Sequence, residues 1–186
     1  NETSINEIKT AMQDFLARLS RNRLTRRQSI MLQLLDGCII DLERIGDHVD
    51  EICDLSVRRL RIGHALFDRP SFDAFFALYL SAMEVLEALT DSLDGDRATF
   101  DDAARAVFAR RDAAWEDGVK ARNLLMEEVE QGRMSARAGF FFSEYLSALG
   151  RLVRHAAGIA RTELADEFRI DRQRLSIESA DDDDAR

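Results

Sequence analysis

Between Asp41 and His48 the chain reads Asp41-Leu42-Glu43-Arg44-Ile45-Gly46-Asp47-His48, which crowds four candidate metal ligands into about two helical turns. On a helix, Glu43 and Asp47 stand one turn apart and project from one face, which is how a helix offers two carboxylates to one cation. Asp41 and His48 complete the candidate set. A hard cation takes about six oxygen ligands. Two carboxylates helped by Asp41 or His48 therefore leave water to supply the balance, and the expectation is one weak site for a divalent or iron-type ion. The plainer reading is a solvated acidic face bridged to Arg44 or to arginines of the first helix, where an exposed ion pair contributes about 0 to 1 kcal/mol. His48 has its own plain reading as a packed or exposed imidazole.

The element that carries these residues has to be a helix, because the whole chain reads as helical. It has one proline and nine glycines in 186 residues, too few for the tight turns of a sandwich or barrel, and long stretches of Ala, Leu, Arg and Glu. Five helices follow from the apolar spacing. The first carries Ile5, Ile8, Met12, Phe15, Leu16 and Leu19 at intervals of three and four, which predicts a buried stripe ending near Arg21. The second opens with a capping box of Thr25 and Gln28 and runs to about Arg61, with Met31, Leu35, Cys38, Leu42, Ile45, Val49 and Ile52 as its stripe.

Gly63 and Pro70 mark residues 62 to 71 as the connection between halves. Ser71 is then the expected N-cap of a third helix, with Phe75, Phe76, Leu78, Tyr79, Met83, Leu86 and Leu89, stopping at Asp94-Gly95. Thr99 and Asp102 open a fourth helix through Val107, Trp115, Leu125 and Val129 to Gly132. Ser135 caps a fifth, with Phe141, Phe142, Tyr145, Leu149, Leu152, Ala156 and Ile159, extending to about Ile170. An acidic tail over residues 173–186 is expected to be disordered. Phe140, Phe141 and Phe142 step by about 100° along a helix, so one ring must leave the core and face another surface, such as a dimer mate or a membrane domain. Trp115, among Asp112, Glu116 and Asp117, poses the same choice.

The formal charge of −9 argues against a nucleic-acid partner, which needs Lys and Arg laid along a phosphate backbone. Residues 1 to 70 hold eleven basic and eleven acidic side chains, so the acidic excess lies in residues 71 to 186. Arg21, Arg23, Arg26 and Arg27 gather at the first turn, where guanidinium groups suit phosphate or an anionic membrane surface, or simply dress a helix connection. Cys38 and Cys53, about 22 Å apart along one helix, cannot form a disulfide there and read as two small buried thiols of a reducing compartment. No run of about 18 apolar residues is present. Beginning at Asn1 rather than Met, the chain reads as preceded by further residues in the natural polypeptide. There is no glycine-rich phosphate loop, no nucleophile elbow and no paired Glu-x-x-His of a di-iron bundle, so no enzymatic activity is expected.

An internal repeat organises the helices. Residues 126 to 159 echo residues 12 to 52 as an amphipathic helix, a short polar turn at Leu24-Thr25 or Met134-Ser135, and a long apolar helix. Within it, Leu42-Glu43-Arg44-Ile45-Gly46-Asp47-His48 aligns with Leu149-Gly150-Arg151-Leu152-Val153-Arg154-His155. Arginine and histidine recur. Gly150 and Arg154 replace Glu43 and Asp47, so an acidic site in the first half has no twin in the second.

The segment DLERIGDHVDEI, from Asp41 to Ile52, resembles the PhoU family of phosphate-signalling proteins, with its E/D-x-x-x-D element. Residues 131–152 (QGRMSARAGFFFSEYLSALGRL) and 93–112 (LDGDRATFDDAARAVFARRD) are most similar to the PhoU-like domain that follows the membrane part of bacterial sodium/phosphate cotransporters. The resemblance implies an all-α, elongated bundle of about five long helices in two degenerate repeats, occupying residues 1–172 with halves of about 1–62 and 71–172. It further implies a regulatory rather than enzymatic role, at the cytoplasmic face of the inner membrane. The expected partner is a membrane transporter domain of the same or another polypeptide, or a second copy in a homodimer, with Glu43, Asp47, Asp41 and His48 as the metal ligands. Two other roles stay open: a freestanding PhoU-like regulator of phosphate uptake, and a divalent-metal carboxylate protein. The family's second acidic motif and the acidic pair of its first helix are missing here.

Overall fold

The computed structural model describes residues 2–62, 67–94 and 100–165. They form five α-helices in chain order, α1 (Glu2–Leu19), α2 (Arg26–Ile62), α3 (Arg69–Asp94), α4 (Phe100–Glu130) and α5 (Ala136–Glu163), with no strand among the described residues. The all-helical bundle expected from composition and periodicity is thus the observed architecture. None of these helices is long and apolar enough to cross a membrane.

Local signals set most of the boundaries. The capping box at the start of α2 forms reciprocally: the Thr25 backbone N–H donates to Gln28 Oε1 at 2.9 Å, and the Gln28 N–H donates to Thr25 Oγ1 at 3.3 Å. Ser135 caps α5 by accepting from the Ala138 N–H. Gly132 ends the α4 turn at φ 67, a left-handed conformation that costs glycine nothing.

Two boundaries differ from expectation. α3 starts at Arg69, because Asp68 Oδ1 rather than Ser71 accepts the first free N–H, that of Ser71 itself, at 3.0 Å. Pro70 then falls in the first turn, where its missing N–H has no partner to lose. α5 ends at Glu163, where the Leu164 N–H turns back to Ala160, rather than near Ile170. Gly63, the Gly95 stop, the Thr99 cap and the tail over 173–186 lie outside the described residues.

The main core lies where α3, α4 and α5 meet. Leu78, Ala82, Val85 and Leu89 from α3, Val107, Ala114 and Ala121 from α4, and Phe142, Leu149, Leu152, Ala156 and Ile159 from α5 bury one apolar cluster. α2 lies against α5 and adds Cys38, Ile45 and Ile52 to its edge. Only one ring of the triple phenylalanine leaves the core: Phe140 is exposed while Phe141 and Phe142 are buried.

The stripe expected on α1 is not buried. Ile8, Met12 and Phe15 are exposed, and α2 leaves Leu35, Leu42 and Val49 exposed as well. The reason is packing geometry: α1 has α2 as its one substantial neighbour among the described residues, and a single helix contact covers one line of side chains rather than a wide arc. Phe76, Tyr79 and Met83 of α3 and Trp115 of α4 are exposed although these helices each pack on two others, because they face away from the shared core. Cys53 is exposed too, against the expectation of two buried thiols, while Cys38 is half-buried.

Leu149, at 3% exposure, and Leu42, at 40%, hold equivalent places in the repeat and should respond unequally to truncation. Leu149→Ala is expected to cost about 2 to 5 kcal/mol. Leu42→Ala should cost under about 1 kcal/mol. Urea unfolding followed by circular dichroism measures both.

Candidate functional site

The eight residues from Asp41 to His48 lie in the middle of α2, flanked by α1 on one side and α5 on another. Successive residues turn by about 100°, so Asp41 and Glu43 point about 200° apart. The structure sends each to a different helix. Asp41 meets His155 of α5, with Oδ1 2.8 Å from Nδ1. Glu43 accepts from Lys9 Nζ of α1 at 2.6 Å. Asp47, one turn beyond Glu43, lies 3.5 Å from Arg44 Nη1. His48 turns toward α5, where its ring stacks on that of His155 at 5.5 Å and its Nδ1 stands 3.1 Å from Glu51 Oε2.

The four candidate ligands are therefore brought together in pairs rather than around one point. Asp41 and His48 line the α2–α5 contact, Glu43 faces α1, and Asp47 pairs with Arg44 of its own helix. Among the described residues no group of three His, Cys, Asp or Glu stands close enough to hold one ion.

The apolar and glycine positions of the motif serve the same junction. Ile45 packs against the main core. A Cβ on Gly46 would stand 2.6 Å from Ile5 Cδ1, so this glycine lets α1 lie close against α2. On the opposite helix a Cβ on Gly158 would stand 2.5 Å from Asp41 Oδ2, and its absence leaves room for the carboxylate that reaches His155.

Four partners were not legible as such in the sequence: Lys9, Glu51, Arg151 and His155. Arg151 Nη2 donates to both oxygens of Glu51 at 2.7 and 2.8 Å, which ties α5 to α2 a second time. Burial alone pushes the Glu51 carboxyl up, but its hydrogen bonds with His48 and Arg151 outweigh that and hold it below the ordinary range. The signal for Glu51 was its place three residues after His48, which puts both on one helical face. Lys9 carried no signal beyond its charge. Nearer the core, burial pushes the Cys38 thiol up, against a hydrogen bond with Thr162 that pulls the other way.

The polar junction also explains how the repeats relate. Helices α2 and α5 run antiparallel, as Asp41 with His155, Glu51 with Arg151, and Ser56 with Tyr145 (2.9 Å between hydroxyls) demonstrate. His48 and His155, the equivalent histidines of the two repeats, meet face to face.

A second feature lies at the far end of α2. An open hollow of about 390 Å³ is lined by Arg58, Arg61, Ile62, Arg137, Phe140 and Phe141. Its lining is almost wholly apolar, made of the two rings, Ile62 and the arginine side chains.

Comparison with protein-family models, with curated proteins and with solved structures found no match.

Two outcomes are expected at the junction. Gly150→Ala enters open space on an exposed helical face and should stabilise by about 0.5 to 1 kcal/mol. Gly158→Ala should forfeit that gain, because its methyl displaces Asp41 from His155. Thermal melts of both variants decide. Because the folded-state pKa of Glu51 is depressed, its contribution is present above the unfolded-state value and lost as pH falls through the folded-state value. Wild type should exceed Glu51→Gln in stability near neutrality, and the gap should close on acidification, as read by urea midpoints across pH.

Proposed function

We propose that this chain is the cytosolic regulatory domain of a sodium/phosphate cotransporter, a PhoU-like helical bundle acting by contact with a membrane transporter domain at the cytoplasmic face of the inner membrane. The observation that carries the proposal is the repeat. The motif quoted for the family resemblance and its degenerate twin meet at His48 and His155, so the signature sequence holds two related halves together. A junction built from hydrogen-bonded side-chain pairs and stacked rings supports a scaffold that signals through its surfaces, rather than a chemical centre.

The side of α2 that carries Glu43 and Asp47 keeps a secondary role in this reading, as a weak cation site. Any ion there competes with Lys9 Nζ for Glu43. Retained iron, zinc, manganese or nickel that disappears in Glu43→Ala would support it in tag-free protein.

The main test is radiolabelled phosphate uptake in cells that depend on the transporter, made with and without this domain. Deletion is expected to change the phosphate response of uptake by about fivefold or more, the lower end of ordinary allosteric coupling. An unchanged response overturns the proposal. Restoration by the domain supplied as a separate polypeptide would favour the freestanding regulator of phosphate uptake.

A further inference from the structure

Repeat symmetry assigns a place in one half of the molecule that is filled in the other. The alignment of Leu42 with Leu149 extends one heptad each way along unbroken helices, to Leu35 with Phe142 and to Val49 with Ala156. On α5 these three are buried, at 0%, 3% and 0% exposure, in the cluster that includes Leu78, Ala82, Val85 and Leu89 of α3. On α2 their equivalents are exposed at 36%, 40% and 42%.

The neighbouring row keeps its partner in both halves. Gly46 of α2, which aligns with Val153, receives Ile5 of α1, and Gly139 of α5, in the Val153 row two heptads earlier, receives Val129 and Leu125 of α4. So α1 sits on α2 as α4 sits on α5, while no described helix covers Leu35, Leu42 and Val49 as α3 covers the core of the other half. The near edge of α1 adds Ile8, Met12 and Phe15, all exposed, to the same flank.

We propose that the flank of α1 and α2 lined by Leu35, Leu42 and Val49 seats a partner's single amphipathic helix with acidic first turns, in the place α3 takes on the other half. Length and apolar face follow from α3, and charge follows from the rim. α3 enters its seat at the α4–α5 turn end, where Phe67 packs on Phe142 and Tyr145. The corresponding end of the α1–α2 hairpin carries Arg18, Arg21, Arg23, Arg26 and Arg27, and residues 15 to 35 hold no acid. Arg21, Arg23 and Arg26 are exposed, and none pairs with a carboxylate among the described residues. Acidic side chains in the first turns of the incoming helix meet these guanidinium groups and complement the positive end of their own helix dipole. The seat is also continuous with an interface already formed, since its α2 residues adjoin Cys38, Ile45 and Ile52 at the edge of the main core. The proposal rests on the protein-contact part of the function above and is independent of the transported ion.

The test uses the full chain and a fluorescein-labelled peptide of residues 69–94 carrying Arg69→Glu and Ser71→Glu, which supplies α3's apolar face with acidic first turns. Fluorescence anisotropy should give saturable binding, weakened about tenfold or more by Leu42→Asp in the protein, the scale of a lost interface anchor. Arg23→Glu with Arg26→Glu should weaken it too, and raised salt should mimic that change. Circular dichroism melts should show Leu42→Asp folded with only a small loss of melting temperature, because Leu42 is exposed. Absence of saturable binding overturns the proposal, as does binding that Leu42→Asp leaves unchanged. Self-association of the chain that Leu42→Asp abolishes, seen by sedimentation, overturns it in favour of a second copy. A bound peptide with unregulated phosphate uptake sinks the transporter reading alone, and regulated uptake without peptide binding sinks this one alone.

Discussion

The crossing of α2 and α5 is the constraint on which the remaining architecture depends. It joins two hairpins that would otherwise share little, and its centre is polar: two stacked imidazoles, Asp41 against His155, and Arg151 clasping Glu51. Polar groups in a half-buried contact have to be partnered or they oppose association. Their pairing fixes register as well, since a slip of one turn along either helix would part both hydrogen-bonded contacts at once. Apolar side chains above and below, from Ile45 to Leu55, supply the attraction, and the polar centre decides where along the helices it is applied.

From this crossing the two halves diverge in how completely they are built. The second half closes as α3, α4 and α5 around a shared interior, whose fully buried residues run from Val85 and Val107 to Phe142 and Ile159. The first half is a hairpin held to the rest through one helix. Its α1 is fastened by the Ile5 contact on Gly46, the Lys9 bond to Glu43 and Gln13 to Asp36. Such a helix, with exposed apolar residues and few buried contacts, belongs to the low-stability end of a fold, where local opening precedes global unfolding.

Much of this was legible from sequence. Five helices, the capping box at Thr25, the Ser135 cap and the Gly132 stop are all local signals that need no knowledge of neighbours, and the structure carries each of them. The expected buried stripes on α1 and α2 were not legible, because periodicity reports which face is apolar and not whether a second helix arrives to cover it. Ile8 and Phe15 have the spacing of core residues and the exposure of surface ones. The motif posed a different difficulty. Glu43 and Asp47 do share a face, as spacing requires, but the same rotation aims Asp41 and His48 at α5, and only the three-dimensional arrangement reveals Lys9 and His155 as their partners.

One consequence follows from the indole on α4. Trp115 is the single tryptophan of the chain and is 73% exposed. Its emission already reports water in the native state, so unfolding changes its colour little, and a melt followed by intrinsic fluorescence would score this protein as featureless while its interior comes apart. The same placement makes the ring a sensitive optical gauge of anything that settles on the outer side of α4, where shielding from solvent would shift its emission to the blue.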